Sequence, residues 1–168
     1  MTRYTIIGCP IGELMLVGDG AGAEAALTGA YLVGQRHERV IEPDWIRADD
    51  AFTVAARQFA AYFAGESTSF DLRYLPRGSE FQRAVWKALE EIPYGQTCSY
   101  GELAQRIADR SKTRAVAAAV GRNPLCIVVP CHRVIGADGS LTGYAGGLER
   151  KRWLLDHEAA VSGATFDV

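Results

Sequence analysis

A chain of 168 residues with 48% hydrophobic content is long enough for one domain of ordinary size or two small ones with a real core, and no run nears the ~20 apolar residues of a membrane span. The formal charge of −2 conceals an asymmetry: residues 1–75 carry six basic and ten acidic side chains, whereas residues 105–153 carry nine basic and three acidic. Four scattered cysteines, Cys9, Cys98, Cys126 and Cys131, point to free thiols rather than a disulfide framework, and MTRYTIIGCP lacks the features of a signal peptide, which together place the protein in the cytoplasm.

The first half predicts a small antiparallel sheet with a covering helix. YTIIGC, ELMLVGDG and AALTGAYLV are rich in aliphatic and β-branched residues and are separated by glycines and Pro10, as in short strands joined by turns. The glycine-rich GDGAGAEAA lacks the spacing and lysine of a phosphate loop and reads as a turn. Asp49 and Asp50 then lead into a helix with Phe52, Ala55, Ala56, Phe59, Ala60 and Phe63 at helical spacing, stopped by Gly65. We place a boundary near residue 75, with an N-terminal sheet–helix domain over 1–75 and a C-terminal domain over 76–168.

The second half predicts helices. Ser79 with Gln82 makes a capping box, after which Phe81, Val85, Leu89 and Ile92 line one face until Pro93, Tyr94 and Gly95. Ser99 with Glu102 repeats the device at the start of SYGELAQRIA, with Leu103 and Ile107 inward, and TRAVAAAV follows after the connector DRSK. Two short helices with a tight polar linker have the outline of a helix-turn-helix, an outline more often met in plain core packing. The third helix presents alanines behind Arg114. A bare face of that kind suits close approach to a minor groove, or to another helix; it does not suit the major groove, which asks for long polar side chains.

In IVVPCHRVIG, residues 127–136, an apolar run reaches Pro130 and is followed at once by Cys131, His132 and Arg133. Pro130 biases Val129 toward extended backbone, so CIVV predicts a buried strand or extended segment delivering the thiol to a defined place. A thiol is only slightly ionised at neutral pH, and His132, Arg133 and a local turn are the expected activators. Three other accounts stand beside this one. Cys131 is an inert core thiol; or Cys126, Cys131, His132 and His157 hold a metal, against which the absence of Cys-x-x-Cys spacing weighs; or Cys131 is the nucleophile of a thiol hydrolase with His132 or His157 as base and Glu158 or Asp156 as orienter.

PCHRVIG, preceded by RAVAAAVGRNP and IPYGQTCSYGELA and followed by GYAGGLERKRWLLDHE, resembles the O6-alkylguanine-DNA alkyltransferases, densely from about Phe81 to Glu158 and loosely upstream. The resemblance implies a mixed α+β (α/β) fold: a ribonuclease H-like sheet with a covering helix, then a mainly helical, winged-helix-like domain carrying the helix-turn-helix. It implies a single-use repair protein that takes a methyl or other alkyl group from O6-alkylguanine, with O4-alkylthymine a second substrate, onto its own cysteine after flipping the nucleotide through the minor groove. By that resemblance Cys131 is the acceptor, His132 relays its proton through water, and Glu158 orients His132. Arg114 fills the vacated stack, with Ala115, Ala117 and Ala118 on the groove-facing helix. Tyr100 helps rotate the nucleotide and donates a proton to the purine, while Asn123 ties the recognition helix to the active-site turn. Tyr144 walls the pocket, Ala145 offers an amide to the guanine oxygen, Val134 a carbonyl to the exocyclic amine, and Lys151 matches a pocket lysine. The partner implied is double-stranded DNA, bound by a protein that is a monomer when free, with cooperative assembly along the DNA left open; no cofactor and no metal are implied. Ala117, where the family commonly has glycine, and Gly121 with Arg122 depart from the pattern. A non-reacting branch that only flags lesions lacks the cysteine, which is present here.

Overall fold

The computed structural model describes residues 1–20 and 24–163, so the turn read over GDGAGAEAA lies partly outside the described residues. The chain divides into two compact units, residues 1–77 with 124–128, and residues 78–123 with 129–163.

In the first unit, strands β1 (Thr2–Cys9), β2 (Gly12–Asp19) and β3 (Ala26–Leu32) form an antiparallel meander, and the two-residue β4 (Ile46–Arg47) adds in parallel to β1, giving the order β3-β2-β1-β4. Cys9 pairs with Gly12 across a tight turn in which Gly12 takes φ +122°, a conformation that favours glycine. Alternation along the strands gives the sheet two distinct faces. Met15, Val17 and Tyr31 gather on one with Trp45, and Tyr4, Ile6 and Val33 pack against them. Leu14 and Leu16 point the other way and are fully buried. On that side Thr5 Oγ1 donates to Asp49 Oδ1 at 2.6 Å, and a side chain on Gly18 would meet the Ala26 carbonyl at 2.8 Å, with Phe52 at 3.3 Å. These contacts seat the turn that opens α1 (Thr53–Phe63), which buries Ala55, Phe59 and Tyr62. Tyr62, rather than the expected Ala60 and Phe63, completes the buried stripe. The parallel β4 is a further departure from the all-antiparallel reading, because two residues carry no strand signal.

In the second unit, α2 (Glu80–Glu90) starts at the expected capping box: Gln82 N–H donates to Ser79 Oγ at 3.1 Å and Ser79 N–H to Gln82 Oε1 at 3.0 Å. Val85, Trp86 and Leu89 face inward, each worth ~1.5–3 kcal/mol on full burial. Phe81 is instead 36% exposed, because it sits in the first turn, ahead of the packed stripe. Ser99 caps α3 (Tyr100–Ile107) by accepting from Glu102 N–H at 3.1 Å, and a single 3-10 turn, Arg110–Lys112, leads to α4 (Thr113–Gly121). Trp86 Nε1 donates to the Ala119 carbonyl at 2.8 Å, tying α2 to α4. Val116, Ala119 and Val120 are buried, while Ala115 and Ala118 are exposed. Two-residue strands β5 (Cys98–Ser99) and β6 (Val134–Ile135) pair in parallel, and α5 (Leu148–Ser162) ends at Gly163 in the left-handed conformation. Among the described residues no helix is long and apolar enough to cross a membrane.

Candidate active site

The segment before the thiol is not one extended strand. Cys126 N–H donates to the Ala30 carbonyl at 2.9 Å, and Ile127 then turns the chain at φ +74°, left-handed backbone that costs a β-branched residue ~1–3 kcal/mol. This corrects the reading of CIVV as a straight run: the bend separates Leu125 and Cys126, which belong to the first unit, from Val129 and Cys131, which belong to the second. Cys131–Arg133 form a single 3-10 turn, closed by Arg133 N–H donating to the Pro130 carbonyl at 3.0 Å.

All three residues of this turn are buried: Cys131 is 7% exposed, His132 0% and Arg133 8%. Burial of polar groups on this scale requires partners, and the chain supplies them. α5 buries Lys151, Leu154, Leu155 and Glu158 on one face, so its inward stripe carries two charges. Glu158 is fully buried and is the hub. Its Oε2 lies 2.6 Å from His132 Nε2; Arg133 Nε donates to Oε1 at 2.8 Å and Arg133 Nη2 to Oε2 at 3.1 Å; Gly95 N–H donates to Oε1 at 3.3 Å. Arg133 spends its remaining nitrogen, Nη1, on the Ile92 carbonyl at 2.7 Å and lies 5.5 Å from the centre of the Tyr94 ring.

The electrostatics follow from this set. Burial by itself pushes the Glu158 carboxyl up, but His132 and the Arg133 guanidinium outweigh it and hold the group well below the usual carboxylate range. Burial pushes His132 down, against the pull of Glu158, so the imidazole is neutral at neutral pH. A neutral imidazole beside an ionised carboxylate carries its hydrogen on Nε2, which leaves Nδ1 as an acceptor. His132 Nδ1 is buried and has no hydrogen-bond partner among the described residues. Burial pushes the Cys131 thiol up, opposed by a hydrogen bond with the Asn123 side chain and by the charge of Lys151. The resting sulfur is therefore a thiol. Arg133 is not its activator as the sequence suggested, because the guanidinium is committed to Glu158.

Asn123 Nδ2 also donates to the Val129 carbonyl at 2.8 Å, so one side chain joins the end of α4 to the residues just before the thiol. Lys151 is fully buried and donates to the carbonyls of Thr142 at 3.2 Å and Gly143 at 3.1 Å. Burial lowers its pKa to about 8, with Cys131 opposing. The Tyr100 hydroxyl donates to the same Thr142 carbonyl at 3.0 Å, and its ring centre lies 5.8 Å from Lys151 Nζ. Tyr100 and Lys151 thus hold the segment that carries the half-buried Tyr144 and Ala145. Val134 is buried at the start of β6. Arg114, Ala115 and Ala118 are exposed on α4 and Ala117 is half-buried.

Sequence reasoning missed Arg133 as the partner of Glu158, since a separation of 25 residues carries no local signal. Of the alternatives, His157 stacks on Trp153 with ring centres 4.8 Å apart, and Asp156 is exposed. Among the described residues no group of three or more His, Cys, Asp or Glu side chains is placed to hold a metal ion. Cys131 shares its turn with His132, which lies 2.6 Å from Glu158; a thiol, an imidazole and a carboxylate are the groups from which an activated nucleophile is built.

Residues 80–160 match the family profile described as 6-O-methylguanine DNA methyltransferase, DNA binding domain, and residues 2–75 match the ribonuclease-like domain of the same family. The chain is 50% identical over 166 residues to a methylated-DNA--protein-cysteine methyltransferase of Mycolicibacterium paratuberculosis, covering 99% of this chain and 98% of that protein. It is 48% identical over 159 residues to one from Methanosarcina acetivorans, covering 94% and 98%. Among solved structures, Mycobacterium tuberculosis OGT in complex with DNA superposes with a TM-score of 0.87 at 48% identity, over 95% of this chain and 94% of that one.

Proposed function

This chain belongs to the 6-O-methylguanine DNA methyltransferase family, and from that premise we propose that it repairs DNA by moving a methyl or larger alkyl group from O6-alkylguanine in a duplex onto its own Cys131, once per molecule. The observation that carries the reading is the buried Cys131 thiol beside the His132–Glu158 pair, in a unit that matches a DNA-binding domain over its length. The reading places the protein in the cytoplasm, in keeping with four cysteines that stay free thiols.

An alkyl carbon stacked inside a duplex is out of reach of a buried thiol, so the nucleotide has to be extruded at a cost of a few kcal/mol. Arg114, exposed at the start of α4, enters the gap and offsets part of that cost, while the small Ala115, Ala117 and Ala118 allow close approach to the minor groove. Tyr144 walls the pocket, with the Ala145 amide toward the guanine oxygen and the Val134 carbonyl toward the exocyclic amine. The thiol proton passes through water to His132 Nδ1, leaving a thiolate and an imidazolium whose charge Glu158 balances. The S–C bond forms as the C–O6 bond breaks, and the guanine departs as an anion that takes up a proton, with the Tyr100 hydroxyl as donor on the purine side. The product is a thioether. No group in the site hydrolyses it, so the protein is consumed.

The test is a duplex bearing a labelled O6-methyl group. Label is expected on the peptide containing Cys131, in no more than one equivalent per protein; multiple turnovers, or tight binding of the lesion with no transfer, would overturn the reading. For Arg114→Ala, repair of duplex DNA is expected to slow at least tenfold, while reaction with a free O6-alkylguanine base changes less than twofold. This follows because an intercalating side chain acts only where a stack exists. Equal loss on both substrates, measured by single-turnover kinetics, would remove Arg114 from this role.

A further inference from the structure

The proposed mechanism needs His132 to present a bare Nδ1 to the thiol, and nothing in His132 itself ensures this. A carboxylic acid beneath the ring would donate to Nε2 and force the hydrogen onto Nδ1. A carboxylate would accept from Nε2–H and leave Nδ1 open. The state of Glu158 therefore decides what His132 is able to do. Glu158 lies in a fully buried position, where an isolated carboxyl takes up a proton rather than remain charged.

Arg133 is built to prevent that. Its Nε and Nη2 engage the two carboxylate oxygens in a parallel fork at 2.8 and 3.1 Å, and its Nη1 is fixed on the Ile92 carbonyl at 2.7 Å. A guanidinium does not titrate in the working pH range, so the counter-charge is permanent. The Gly95 amide adds a second donor to Oε1, at 3.3 Å. Arg133 sits in the same 3-10 turn as Cys131 and His132, so the group that sets the carboxylate moves with the groups it serves.

We propose that Arg133 is a positioning residue which, by clamping Glu158 as a carboxylate, keeps the hydrogen of His132 on Nε2 and Nδ1 free to receive the thiol proton. The inference rests on the function proposed above, because it assigns the proton's destination within that reaction. The charged and titratable groups around His132 are Glu158 and Lys151 from α5, Arg133 and Cys131 from its own turn, and Tyr94, against Arg133, from the loop after α2.

The full-length protein labelled with 15N-histidine tests this at pH 7, since its three histidines, His37, His132 and His157, are assignable by substitution. In the wild type, His132 is expected to show a protonated Nε2 and an unprotonated Nδ1. In R133M, Nδ1 becomes protonated, and reaction with free O6-benzylguanine slows about a hundredfold, the scale of losing general-base assistance. In R133K, which retains the charge, Nδ1 stays unprotonated and the rate remains within about tenfold of wild type.

A hydrogen on Nδ1 in the wild type overturns the proposal whatever the variants do, and so covers the case in which R133M fails to fold. An R133M rate within threefold of wild type would also overturn it. So would R133K as slow as R133M, because charge would then not be what acts. A purely structural role for Arg133 lowers the melting temperature without changing which ring nitrogen carries the hydrogen. If the wild type takes no alkyl group from duplex or free base while the histidine spectra are as expected, the functional reading fails and the electrostatic one survives.

Discussion

Cys131→Ala is expected to abolish alkyl transfer while leaving lesion binding and the fold intact, the largest effect of any single substitution on the reaction. The sulfur is the bond-forming atom, and no neighbouring side chain substitutes for it: His132 and Glu158 are committed to each other at 2.6 Å, and Lys151 is held on two carbonyls. Nor do the other thiols. Cys98 and Cys126 are buried, and burial pushes the Cys98 thiol up. A buried cysteine behaves as a small hydrophobe, so its replacement by alanine should lower stability by only about 1 kcal/mol. Transfer followed by mass analysis of the Cys131 peptide, alongside gel-shift affinity for the alkylated duplex, checks both halves. Label appearing on the Ala variant would reveal a second acceptor and remove Cys131 from its place in the mechanism. Cys131→Ser is expected to be as inert, since a hydroxyl is far harder to deprotonate and His132, its pKa pushed down by burial, is a weaker base than free imidazole.

The elements that sequence made legible are those whose determinants are local. Aliphatic and β-branched runs punctuated by glycines and Pro10 placed β1, β2 and β3, and Ser79 with Gln82 placed the start of α2 because both halves of a capping box lie within one turn. The alanines of α4 were legible as a bare face, and Ala115 and Ala118 are exposed. What stayed hidden depends on residues distant in sequence. The run CIVV has strand-like composition, yet Ile127 is forced into left-handed backbone where the chain passes from one unit to the other, and composition holds no record of that. Arg133 reads from sequence as an activator of the adjacent thiol, because proximity along the chain is the only proximity sequence offers; the helix that delivers Glu158 redirects it. Likewise Tyr100 and Lys151 share the Thr142 carbonyl, although 42 residues separate the tyrosine from that group. The roles of Cys131, His132 and Glu158 came from resemblance to a family rather than from spacing; in the structure His132 lies 2.6 Å from Glu158 and shares a turn with Cys131. Arg114 stands exposed at the start of α4.

Glu158→Gln is expected to produce the largest loss of stability among the site substitutions, together with a loss of activity. The amide fills the same space but removes the charge, so Arg133 is left 8% exposed with no anion, and an amide with a single acceptor oxygen cannot satisfy both arms of the guanidinium fork. Removing one partner of a buried pair typically costs ~3–5 kcal/mol; with an isosteric amide still accepting one bond, the lower end applies, or roughly a 10 °C fall in melting temperature for a chain of this length. The pH dependence gives this a distinctive signature. The folded-state pKa of Glu158 is depressed, so its contribution is complete above the ordinary carboxylate range and is lost as pH falls below ~4.5 toward the folded value. Wild-type protein should therefore lose stability on acidification that the Gln variant has already lost, and urea midpoints for the two should converge between pH 7 and pH 3. Parallel curves would mean that folding does not depress the Glu158 pKa. The same variant should transfer alkyl groups about a hundredfold more slowly even where it is fully folded, because an amide whose carbonyl faces Arg133 turns its NH2 toward His132 Nε2 and drives the hydrogen onto Nδ1.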